Sequence, residues 1–76
     1  MSELRIIKER RFYDQYGNKK FAMLEEGQTV KIKRWLNAGR GPLLCRVVNP
    51  SEVSKDFGVY DGMLVEVDWE DLGFEE

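Results

Sequence analysis

Two stretches of this chain alternate apolar and polar residues with a period of two: "TVKIKRWL", Thr29–Leu36, and "MLVEVDW", Met63–Trp69. Every second side chain shares a face only in extended backbone; a helix repeats at 3.6. Both stretches therefore read as strands. In the second, Met63, Val65, Val67 and Trp69 share one face, and Leu64, Glu66 and Asp68 the other. Trp69 is thus expected to continue a core-facing row. In the first, Val30 and Ile32 oppose Lys31 and Lys33. Strict alternation then places Arg34 inside and Trp35 on the lysine face. Either a bulge intervenes or Trp35 is exposed beside the two lysines.

The other segments support the same class. "LRIIKERRFYDQY", then Gly17-Asn18, then "KKFAMLEE" reads as a hairpin with positive φ at the glycine. Phe12, Tyr13 and Tyr16 are expected to face Phe21 across it. Leu4–Arg11 has some helical character, but Ile6-Ile7 and the aromatics after them favour a strand. "NAGRGP", Asn37–Pro42, reads as a loop. "LLCRVVN", Leu43–Asn49, is apolar on both faces except at Arg46, which suits the most buried strand. Asn49, Pro50 and Glu52 resemble a helix start, with Asn49 as cap, and Gly58 ends that helix after a turn or two.

The count is five strands, mostly β, with one short helical or 3₁₀ turn. In a single 76-residue domain this suits a small SH3-like or OB-like barrel. Leu72 and Phe74 are read as a turn over the barrel end, and Gly73–Glu76 as an acidic tail expected to fray.

A chain of this length buries roughly 60% of its unfolded surface. It needs most of its large apolar side chains for one core. Cys45 is the lone cysteine and has no partner for an internal disulfide, which points to a reducing, cytoplasmic setting. The first residues lack the apolar run of a secretory signal, and no 18-residue apolar run crosses a membrane. Histidine is absent, which removes the commonest general base near neutral pH. Cys45 lies among Leu44, Val47 and Val48, surroundings that make a thiol inert. The carboxylates around Asp61–Asp71 match no calcium-loop spacing. No enzyme, cofactor or metal is expected.

The net charge of −2 conceals an asymmetry. Residues 1–46 hold eleven Lys/Arg and five Asp/Glu (11 − 5 = +6); residues 47–76 hold one Lys and nine Asp/Glu (1 − 9 = −8). Two charged surfaces follow as candidates. The acidic one comprises Glu66, Asp68, Glu70 and Asp71 with Phe74, which serves either the core or a partner contact, and suits a protein partner. The basic one comprises Lys31, Lys33, Arg34, Arg40 and Arg46 with Trp35. Cations tracking phosphates beside a stacking ring suit single-stranded nucleic acid. The principal expectation is a non-enzymatic module that binds and modulates a protein. The alternatives are a nucleic-acid-binding barrel and an acidic mimic of nucleic acid that inhibits a partner. Two surfaces of opposite sign also allow self-association.

Overall fold

The alternation seen in the sequence becomes an antiparallel sheet in the computed structural model, which describes residues 3–37 and 39–74, with only the backbone of Arg40. Seven strands form: β1 (Glu3–Ile7), β2 (Arg11–Gln15), β3 (Phe21–Leu24), β4 (Thr29–Asn37), β5 (Arg40–Val48), β6 (Leu64–Asp68) and β7 (Leu72–Phe74). Helix α1 (Glu52–Asp56) and a 3₁₀ turn (Trp69–Asp71) complete the chain. The strand order is β3-β2-β6-β5-β4-β1-β7, so the sheet has two edges and does not close by strand pairing. Five strands become seven for two reasons. The first run breaks at Lys8–Arg10 into β1 and β2, and the terminal segment pairs as β7 instead of turning over the end. Leu4–Ile7 is strand, and Gly73 and Phe74 belong to β7 rather than to a frayed tail. Glu75 and Glu76 lie outside the described residues.

One face of the curled sheet forms the core. Ile7, Tyr13, Ala22, Leu24, Val30, Leu43, Cys45, Val47, Val65, Val67 and Leu72 make one buried cluster with Val59 and Met63. Every strand contributes to it. Burial on this scale, at about 25 cal/mol per Å² of apolar surface, is the main term holding so short a chain together. β5 lies at the centre, paired to β4 and β6, as its apolar sequence required. Met23 points to the opposite face yet is fully buried, because α1 packs against β3 there. Phe12 stands opposite Met23 and meets Phe57 edge-on, ring centroids 6.1 Å apart.

Several local expectations need correction. The hairpin aromatics do not form one cross-strand set: Tyr13 faces the core opposite Ala22, whereas Phe21 stands opposite Asp14 on the outer face. The helix cap is Ser51, whose side chain accepts from the Ser54 amide. Asn49 instead adopts φ 50°, and its amide donates to Asp61 Oδ1 at 2.9 Å. "NAGRGP" is no broad loop, since Asn37 pairs with Arg40 to close a tight β4–β5 hairpin, with Gly39 and Gly41 at positive φ. Ala38 lies outside the described residues.

Candidate functional site

The bulge proposed for β4 is present. The β4–β5 register slips between Ile32 and Arg34, so Lys33 has no partner. The extra residue inverts the alternation: Arg34 faces outward opposite Leu44, and Trp35 turns to the core side opposite Leu43. Trp35 lies at the rim of that face and stays 38% exposed. Trp69 fails the expectation of a core row. After Asp68 the chain enters the 3₁₀ turn, the period of two ends, and Trp69 remains 46% exposed. The two indoles stack on each other with centroids 5.9 Å apart and planes tilted by 34°.

Arg5 extends this stack. It stands opposite Val30 and Phe74 on the inner face. Its guanidinium carbon lies 5.8 Å from the centre of the Trp69 ring and 4.3 Å from that of Phe74. Glu3 pairs with it, and the Leu4 carbonyl accepts from it at 2.9 Å. Arginine between aromatic faces is a favourable arrangement, worth on the order of 1 kcal/mol per contact. The run Trp35, Trp69, Arg5, Phe74 therefore covers one end of the curled sheet. Phe74 is 72% exposed on the edge strand. Trp69 and Glu70 form a ridge between two grooves. One, of about 540 Å³, is bordered by Trp35, Gly39, Gly41 and Asp68; the other, of about 430 Å³, by Arg5, Lys8, Leu72 and Phe74.

The candidate acidic residues do not form one array. Asp68 and Glu70 are exposed and border the aromatic end. Glu66 is half-buried on the outer face, between Asp14 of β2 and Leu44 of β5. Asp71 is buried, and its carboxylate accepts from Arg11 at 2.8 Å. The basic residues divide as well. Lys31 and Arg46 face each other on the outer face, and Arg34 lies further along it. Trp35 is on the other side of the sheet from them, and the Arg40 side chain lies outside the described residues. Because β6 is inserted between β2 and β5, Glu66 shares a cross-strand row with Arg34, with Leu44 between them. The two charged segments thus interleave within one sheet instead of sorting to separate patches.

Two perturbed groups lie in the interior. Burial pushes the Cys45 thiol up to about 12, with no cation to oppose it. Burial also pushes the Tyr13 phenol up to about 12, reinforced by the charge of Asp71 and opposed by Arg11. Tyr13 is 4% exposed, and its hydroxyl has no hydrogen-bond partner among the described residues. Sequence reasoning missed this residue as a site candidate, because Tyr13 and Asp71 are 58 positions apart (71 − 13) and no pattern links them. Among the described residues no group of three or more Cys, Asp or Glu side chains is placed to hold a metal ion, and no helix is long and apolar enough to cross a membrane. Comparison with protein-family models, curated proteins and solved structures finds no match.

Proposed function

We propose that this protein is a non-enzymatic interaction module whose aromatic end docks a segment of a protein partner. Trp35, Trp69 and Phe74 are the anchors, and Asp68 and Glu70 favour a basic flank on that segment. The observation that carries this reading is the stack of two half-exposed indoles continued by Arg5 and Phe74. A 76-residue domain is short of core material, and rings left in water at one end are costly unless something covers them. Half-exposed Trp with polar surroundings is the composition of interface hot spots. The fold itself we read as an SH3-like barrel left open between β3 and β7, since all seven strands feed one interior cluster. Aromatic grooves of this kind take extended peptides.

The test is selection of displayed peptides on the immobilised protein. Enriched peptides should combine an apolar or proline-rich core with Lys or Arg. Their binding should fall at least tenfold in Trp69→Ala while the circular dichroism of the variant stays that of the parent. No enrichment, or binding indifferent to Trp69→Ala, refutes the reading.

One observation favours a second reading, nucleic-acid binding at the outer face. Lys31 stands directly opposite Arg46, a like-charge pair that destabilises a sheet, and no carboxylate pairs with either among the described residues. An anion would relieve it. The missing stacking ring weighs against single-strand specificity, because Trp35 is on the opposite face. The mimicry reading is weakened by Asp71, whose charge is already met by Arg11. Titration of a fluorescent oligonucleotide at low salt decides between these, with Lys31→Glu/Arg46→Glu as the control.

A further inference from the structure

β2 and β6 pair only over Asp14↔Glu66 and Gln15↔Val65. Beyond that point they part. β5 continues alongside β6 as far as Pro42↔Asp68, and β3 alongside β2 as far as Arg11↔Leu24. The sheet is therefore split along this seam, and a cleft of about 220 Å³ opens between the strands.

The chemistry of the cleft is one-sided. Asp14, Glu66, Asp68 and Asp71 line it against one cation among the described residues, Arg11. That cation is engaged: Arg11 donates to Asp71 at 2.8 Å and to Glu9 at 3.3 Å. Phe12, Phe21 and Pro42 supply apolar wall. Tyr13 also lines the cleft, and its buried hydroxyl is unpaired among the described residues. Leaving such a group unsatisfied costs about 1–3 kcal/mol, so a natural chain that retains one calls for a reason. Tyr13 reaches the cleft from the core side, nearest the charges of Asp71 and Asp68 among the lining carboxylates, and its hydroxyl oxygen is an acceptor suited to an incoming N–H donor.

The carboxylates favour a cation, and no three of them are placed together to hold a metal ion among the described residues. A compact ammonium likewise prefers one focus and keeps its water. A guanidinium is planar, presents five donors in a fork and stacks on rings, so it can span separated acceptors beside Phe12 or Phe21. Arg11 on Asp71 already shows that chemistry at the margin of the cleft.

We propose that the cleft between β2 and β6 receives an arginine side chain of the protein partner, its guanidinium met by the carboxylates of Asp68, Glu66 and Asp14 that line the outer side and by the Tyr13 hydroxyl that lines the core side. This rests on the docking reading, because Asp68 borders both the cleft and the groove beside Trp35 and Trp69. A segment lying on the aromatic end reaches the cleft from there.

The experiment is an NMR titration of the intact protein with N-acetyl-arginine methylamide. Saturable shifts should appear at the amides of Tyr13, Phe21 and Asp68. The neutral citrulline analogue should give none, and the lysine analogue should bind at least fivefold more weakly. Asp68→Asn, which breaks no ion pair or side-chain hydrogen bond among the described residues, and Tyr13→Phe should each weaken binding at least fivefold. Free arginine, whose α-ammonium and α-carboxylate offset each other at an acidic rim, should bind no more tightly than the amide. Unsaturable shifts, or equal response to citrulline, overturn the cleft. An equal response to lysine overturns the choice of guanidinium, and tighter binding of free arginine overturns the protein source. The probe has no aromatic or apolar flank, so it reads the cleft alone. Its failure with peptide docking intact sinks only the arginine site, and the converse sinks only the aromatic anchor.

Discussion

Tyr13→Phe should make this protein more stable, against the usual direction of core substitutions. The ring of Tyr13 packs in the main cluster, and its hydroxyl is buried without a partner among the described residues. Phenylalanine keeps the ring and removes only the unsatisfied oxygen. The desolvation cost recovered is about 1–3 kcal/mol, less the small contact loss of one atom. A net gain of about 1 kcal/mol is expected at pH 7, which in a domain of this size raises Tm by roughly 4–8 °C.

The gain should also grow with pH. Burial pushes the phenol from its ordinary value of 10.0 up to about 12 in the folded chain. Between those values the unfolded chain has released a proton that the folded chain still holds. Stability is therefore fully present below pH 10 and is lost as pH rises towards 12. Two pKa units correspond to about 3 kcal/mol in all, of which about 1.4 kcal/mol is lost by pH 11. Cys45 contributes a loss of the same sign, beginning near its ordinary value of 9.0, but it does so equally in parent and variant. The difference between the two proteins isolates Tyr13. Urea unfolding followed by tryptophan fluorescence at pH 7 and pH 11 measures it. The variant should lead by about 1 kcal/mol at pH 7 and by about 2–2.5 kcal/mol at pH 11. A variant less stable than the parent at pH 7, or a lead independent of pH, would show that the hydroxyl is satisfied in solution and would refute the reasoning.

Other expectations follow from single contacts. Cys45 should resist iodoacetamide in the native protein, even at pH 9, and react only in urea, because the thiol is buried and pushed up to about 12; rapid native labelling, read by mass spectrometry, contradicts this placement. Asp71→Asn leaves an acceptor oxygen but removes the negative charge that faces Arg11, and should cost about 1 kcal/mol, discounted because Arg11 is half-exposed, with the penalty shrinking in 1 M salt. Chemical denaturation at two salt concentrations reads it, and a salt-independent penalty would mean that the hydrogen bond outweighs the charge. Ser51→Ala should cost about 1 kcal/mol by uncapping α1, whereas Asn49→Gly, relieving φ 50°, should not destabilise by more than a few tenths. The reverse order of these two in thermal melts would restore Asn49 as the cap.

Periodicity carried part of this architecture and not the rest, for a physical reason. A period of two states which side chains share a face, and it predicted the buried row Met63, Val65, Val67 and the central place of β5. It says nothing about which strands become neighbours. The insertion of β6 between β2 and β5 is decided by tertiary packing, and it interleaves the +6 and −8 segments that the sequence separates. Nor does a period announce its own interruptions. One unpaired residue at Lys33 moved Trp35 to the other face, and a single 3₁₀ turn released Trp69 from the core row. These two irregularities, 36 positions apart (69 − 33), bring the indoles together at one rim. A regular β4 would have left Trp35 among the lysines, and a regular β6 would have turned Trp69 inward. The aromatic end exists because both strands depart from regularity where they meet. Deleting Lys33 should therefore separate the rings, and loss of the exciton-coupled tryptophan signal in the far-ultraviolet circular dichroism of a still-folded variant would reveal that separation.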